Sequence, residues 1–237
     1  MFANLSWPSA LLALSALSLA TPILASQQAT YPPSKFSKGF KLIANVTDRS
    51  HDLSPHIHGW PLQGIHVGAG LDAAVLNNTT PGMIFYQNGT ANDVYRQQSD
   101  MLTDSGMPLT PYGIIVQYSG DTDKIVALGI DARRATAGVT LTNPPYPMTE
   151  LSANASQFIA CKEGIPYYPP PLQFIVVKAI RDQSKVPGNC IVVKFLPQCA
   201  TLPDLPKGSY STHQFANSAR CFEDPANIDW PKYSGVK

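Results

Sequence analysis

The chain has 237 residues, of which 44% are hydrophobic and only 14% charged, with 17 lysines and arginines against 16 aspartates and glutamates. A net charge of +1 provides no broad field to draw nucleic acid or an acidic membrane, so neither is expected as a partner. The 22 prolines and 16 glycines lie scattered among apolar runs, which disfavours long helices and suits one turn-rich strand domain.

The first charged residue is Lys35, and the uncharged lead contains SALLALSALSLA (9–20), which has the character of a secretory h-region and is too short to span a bilayer. Cleavage after Ala25 is favoured over Ala20, because Pro22 would lie just beyond the earlier site. The expected organisation is a signal peptide over 1–25, a flexible leader over 26–36, a β domain over 37–200 and an irregular tail over 201–237 tethered by Cys221. The last residues, DWPKYSGVK, lack the hydrophobic run of a GPI signal, so a soluble, secreted protein with no membrane contact after cleavage is expected.

In FKLIANV (40–46), Phe40, Leu42, Ala44 and Val46 alternate with Lys41 and Asn45, the period-two pattern of a strand with one buried face; Asn45 then points outward. PLQGIHV (61–67) and LDAAVL (71–76) read as strands about the turn Gly68-Ala69-Gly70, and MIFYQN (83–88) as another. The polar stretch 90–106 fits a helical turn or two as well as it fits a loop. YGIIVQY (112–118) and KIVALGI (124–130) flank the turn-forming SGDTD as a hairpin, and GVTLT (138–142) adds a strand. QFIACK (157–162), LQFIVVKAI (172–180) and CIVVKFL (190–196) are the apolar central strands. About nine to ten short strands separated by turn signals predict an all-β fold, an antiparallel β-sandwich or barrel stabilised by disulfides.

Cys161, Cys190, Cys199 and Cys221 are an even set without CxxC spacing, so two disulfides in an oxidising compartment are simpler than a zinc site. Of the three pairings, Cys161–Cys190 inside the sheet and Cys199–Cys221 pinning the tail is favoured. Asn-x-Ser/Thr sequons at Asn45, Asn77, Asn78, Asn88 and Asn154 fit the same route, since they are glycosylated only in the secretory pathway.

Four of the five histidines fall within residues 51–70. In an extended chain His56 and His58 share a face, and His66 on a neighbouring strand would complete a three-imidazole site for Zn or Cu. The cupin family has a similar His-x-His, but the glutamate that follows it a few residues on has no counterpart. The plainer reading makes His51, His56 and His58 loop residues among Pro55, Gly59 and Pro61, and His66 a half-buried strand residue; on that reading no cofactor is needed. No Gly-x-Ser-x-Gly elbow occurs, and Glu150, Glu163 and Glu223, the only glutamates, all lie in or beside loops, so no catalytic residues are assigned. Asp121 and Asp123 offer oxygens for calcium but sit where turn residues are expected. Aromatic rings supply the best candidate surface: Tyr167 and Tyr168 beside Pro169, together with Trp60 and with Tyr86 or Tyr146, suit sugar stacking or an apolar ligand.

The series FKLIANV, LQGIHVGAG, AVL, FYQNGT, FIAC and CIVVKF ending at Cys199 resembles small secreted proteins of filamentous fungi that carry an uncharacterised β-rich domain, over residues 36–199. The resemblance implies a secreted or wall-associated glycoprotein and transfers no catalytic residues. The leading expectation is a non-enzymatic extracellular glycoprotein that binds cell-wall carbohydrate or an extracellular protein. A histidine-cluster metal protein or enzyme is the second reading, and a carrier of an apolar small molecule inside a barrel the third.

Overall fold

The computed structural model describes residues 29–117, 125–143, 146, 148–154 and 156–233. The signal segment and the SGDTD tip with Asp121 and Asp123 lie outside the described residues. Each of the ten stretches read as strands forms one: β2 (Gly39–Val46), β3 (Leu62–Gly68), β4 (Leu71–Leu76), β5 (Phe85–Asn88), β7 (Thr110–Val116), β8 (Val126–Ala132), β9 (Val139–Leu141), β11 (Gln157–Glu163), β12 (Phe174–Ile180) and β13 (Cys190–Ala200). Five short strands add to them: β1 (Lys35–Ser37), β6 (Asp100–Ser105), β10 (Leu151–Ala153), β14 (Ala216–Asn217) and β15 (Ala219–Cys221). The undecided stretch after residue 90 divides into one helical turn, α1 (Ala91–Tyr95), and β6. Thr90 caps α1: its hydroxyl accepts from the Asp93 amide, and the Asp93 carboxylate accepts from the Thr90 amide.

Pairing runs β13–β2–β5–β6–β7–β8–β4–β12–β11 and returns to β13, closing nine antiparallel strands into a barrel. β8 and β12 pair directly at Val126–Ala179 and Ala127–Lys178; where they separate, β4 bridges them, taking Ala73 to Gly129 and Val75 to Val176. β3 lies outside the ring on the free edge of β4. Closure leaves the ring without an open edge for other chains to extend.

The interior is filled by side chains. Phe40, Leu42, Ala44, Phe85, Met101, Ile114, Leu128, Ile130, Phe158 and Phe195 form one buried cluster, and Phe158 meets Phe195 edge to face at 5.4 Å. Small barrels close around side chains in this way. The carrier reading places its ligand inside the barrel, where these rings are packed.

The two ends of the domain are tied together. β1 pairs with β15, so Lys35 and Phe36, read from the sequence as the end of a flexible leader, belong to a strand. Cys161 and Cys190 face each other across β11 and β13, and Cys199 on β13 bonds Cys221 on β15. These are the pairs favoured from the sequence. The segment after β13 is mostly irregular, as expected, but β14 and β15 pin it to β5 and β1. Replacing Cys199 and Cys221 together by alanine should lower the unfolding free energy by about 3 kcal/mol, the entropy of freeing a loop of this length. Urea denaturation checks this, and an unchanged midpoint would mean that β1 and β15 hold the tail without the bond.

Candidate functional site

The outer face of β4 and β12 carries Val75 and Val176, whose apolar surface the interior cannot take. Residues 164–173, with prolines at 166, 169, 170 and 171, fold over that face and bury Ile165 on it, with Tyr168 and Phe174 packed alongside. The loop closes in tight turns, Tyr168 N–H to the Ile165 carbonyl at 2.9 Å and Leu172 N–H to the Pro169 carbonyl at 3.3 Å. Prolines fix the backbone of such a loop before anything binds, which lowers the entropy lost on contact.

On this platform stands a row of rings. His66 meets Tyr167 edge-on at 5.6 Å, Tyr167 meets Tyr168 at 5.4 Å, and Tyr168 meets Phe174 at 5.0 Å. The Tyr168 hydroxyl donates to the His66 carbonyl at 2.7 Å, locking the loop to β3. Tyr167 remains 55% exposed and Leu172 52%. Beside the row a groove of about 420 Å³ runs past Trp60, Ile65, Gln63, Asn77 and Phe174, so the ridge and the groove share a wall. Gln63 Nε2 donates to Thr80 Oγ1 at 2.6 Å along its rim. The arrangement offers rings for stacking and amides and hydroxyls for orientation, the mixture that polyhydroxylated ligands require. Behind the row, Asp72 lies 3.8 Å from His66 Nδ1. Burial raises its carboxyl above the ordinary aspartate value, with Asp131 adding to the shift and His66 opposing it.

The histidines expected as a metal site are not gathered. Both ring nitrogens of His58 are engaged: Nδ1 accepts from the Val46 amide at 3.1 Å, so the proton sits on Nε2, which donates to the Ala226 carbonyl at 2.9 Å. Arg49 Nη2 comes within 2.8 Å of Nε2, but as a donor it finds its acceptor in the same Ala226 carbonyl at 3.3 Å. His56 is 84% exposed with Asp52 at 3.8 Å, while His66 belongs to the aromatic row. Among the described residues no three His, Cys, Asp or Glu side chains come together to hold an ion. His56, His58 and His66, the alternative metal set, are thus not brought together among the described residues: bonds to the chain itself fix His58 while β3 carries His66 to the ridge. His51 pairs locally with Asp48 at 2.7 Å.

Each glutamate is held by a lysine: Glu150 by Lys194 at 2.9 Å, Glu163 by Lys178 at 2.7 Å and Glu223 by Lys35 at 3.1 Å. Trp60 and Tyr168 are half-buried at the platform, whereas Tyr86 is wholly buried and cannot contact a ligand. Instead its hydroxyl donates to Asp104, which also holds His213 Nε2 at 2.7 Å, and the two rings meet at 4.9 Å. Burial, reinforced by the Asp104 carboxylate, pushes the Tyr86 phenol upward. The sequence signal for this cluster was His213 standing apart from the other histidines. Among the sequons, Asn78 and Asn154 are exposed, Asn77 and Asn88 are half-buried, and Asn45 is only 7% exposed. Asn45 does face out of the barrel, as the alternation predicts, but residues 227–231 arch over it.

These features define a closed, disulfide-bonded, all-β barrel with its polar and aromatic surfaces outside the ring. The chain belongs to the family described as domain of unknown function (DUF7907), which matches residues 37–199. It is also similar to the antigenic protein SchS34 of Stachybotrys chartarum, with 35% identity over 210 residues, covering 86% of this chain and 94% of that protein. No solved structure matches it.

The raised Asp72 carboxyl gives the site a pH signature. A carboxyl raised by folding destabilises the fold in its charged form, so this cost is present at neutral pH and vanishes as the pH falls through the folded value. Asp72→Asn should therefore raise the thermal midpoint at pH 7, with the gain disappearing below the ordinary aspartate value of 3.8. Melting curves from pH 3 to 7 check this; a midpoint lowered at pH 7 would contradict it.

Proposed function

We propose that the protein is a secreted, N-glycosylated, non-catalytic binding protein that engages cell-wall carbohydrate through the ridge of His66, Tyr167 and Tyr168 and the groove beside Trp60. The observation that carries this reading is the exposed Tyr167 ring, held edge-on between two others on a proline-braced platform. A solvent-exposed ring has a hydrophobic cost unless something covers it, and a pyranose face covers it while its hydroxyls reach Gln63 and Asn77 in the groove. Export is supported by the uncharged apolar lead, by two disulfides and by a relative named as antigenic. The ion-paired glutamates favour binding over glycoside hydrolysis, which needs an acid and a base or nucleophile free to reach the sugar.

Sedimentation with insoluble chitin and β-glucan tests the proposal. The wild-type protein should pellet with at least one of them. Tyr167→Ala should weaken retention roughly fivefold, the loss of about 1 kcal/mol of ring contact, without changing the thermal midpoint. Equal retention of the variant would remove the ridge from the site, and a wild-type protein that stays in solution with both would refute carbohydrate as its partner.

A further inference from the structure

We propose that the groove bounded by β2, β13 and the C-terminal segment seats the chain's own N-glycan, attached to Asn45 and packed against Trp230. The groove encloses about 860 Å³, lined among others by Asn45, Thr47, Arg49, Lys194, Asn227 and Trp230. That volume lies within the roughly 300 to 1,000 Å³ typical of small-molecule sites. Asn45 and Thr47, the acceptor and the hydroxyl residue of one sequon, both face into it.

Two polar groups in this groove lack protein partners. Asn45 is only 7% exposed as a residue and its side-chain amide makes no hydrogen bond among the described residues, but the amide is not sealed from solvent and opens on the groove. The Trp230 indole Nε1 is buried and likewise unbonded. A buried polar group without a partner has a desolvation cost, and the tryptophan that carries one walls the groove onto which the Asn45 amide opens. Lys194 pairs with Glu150 and Asp229 with Lys232 at 3.0 Å, while the Arg49 guanidinium is held by the Ala226 carbonyl at 3.3 Å. An uncharged sugar carrying hydroxyl and N-acetyl groups fits, with a pyranose face against the indole.

The order of the chain favours a covalent sugar over a diffusing one. Glycans are transferred to the extended chain, and Asn45 precedes by most of the sequence Lys194 and residues 227–231, which complete the groove. The wall closes late, where His58 Nε2 grips the Ala226 carbonyl, so it would assemble around a sugar already attached. The linkage joins the Asn45 Nδ2 to the anomeric carbon of the first sugar, replacing one N–H hydrogen and releasing the lipid pyrophosphate carrier.

This inference rests on the export proposed above, and the test separates the two. The full chain, expressed through a eukaryotic secretory pathway, is analysed by glycopeptide mass spectrometry after peptide N-glycosidase treatment of native and of denatured protein. Asn45 should be occupied and should release its glycan only after denaturation, while Asn78 and Asn154 serve as exposed controls. Trp230→Ala should open Asn45 to release from the native protein, at a rate at least tenfold above wild type. Asn45 bare in protein modified at Asn78 would overturn this inference and leave export standing; so would an Asn45 glycan removed from native protein as fast as that on Asn78. Binding of free N,N′-diacetylchitobiose to the groove of protein with a bare Asn45 would assign the site to a soluble sugar instead. A chain retained in the cell without any glycan would overturn both proposals.

Discussion

The closure of the sheet on β13 is the constraint on which the rest of the structure depends. This strand pairs with β2 from Val193–Val46 through Ala200–Gly39 and with β11 from Phe158–Val193 through Cys161–Cys190, so it joins the first long strand of the domain to one of the last. Phe195 from β13 and Phe158 from β11 then meet inside, where neighbouring strands add Phe40, Phe85 and Leu128. A ring of nine strands filled this way turns its ladder bonds inward on itself. The exposed rings and the two grooves lie outside the ring, on the β3 extension, the proline loop and the C-terminal segment.

Those outer parts are held by a few specific ties. The ridge depends on the Tyr168 hydroxyl reaching the His66 carbonyl, and the C-terminal segment on Cys221 and on His58 gripping Ala226. Both ties begin in the histidine-rich stretch, which thus acts as an organiser of surface segments: His58 anchors one and the His66 backbone the other. His51 is taken up by Asp48, His58 by the backbone and His66 by the aromatic row, while His56 stands exposed, so this dense set of metal-ligand types forms no cluster among the described residues.

Strand identity was legible wherever one face of a strand meets the apolar interior. Phe40, Leu42, Ala44 and Val46 declare their face through alternation alone. Asp100–Ser105 hid because its inward residues, Met101 and Thr103, alternate too weakly to stand out, and the Thr103 hydroxyl bonds the Ile84 carbonyl. Lys35–Ser37 and Ala219–Cys221 exist only as each other's partners, a pairing across most of the chain that no local pattern encodes. The same blindness applies to the candidate sites. Tyr167 and Tyr168 were legible as exposed rings beside prolines, but their partner His66 belongs to a different hairpin. The outward turn of Asn45 was legible, while the cover of residues 227–231 is a tertiary fact.

The central claim is that this barrel is solid and works from its outer surface, at the ridge. Backbone and aromatic NMR shifts recorded while the protein is titrated with a soluble oligosaccharide of chitin or β-glucan test it most directly. The account predicts perturbations confined to His66, Tyr167, Tyr168 and the Trp60 groove, with the signals of Phe158 and Phe195 unmoved. Shifts centred on those interior rings would contradict it.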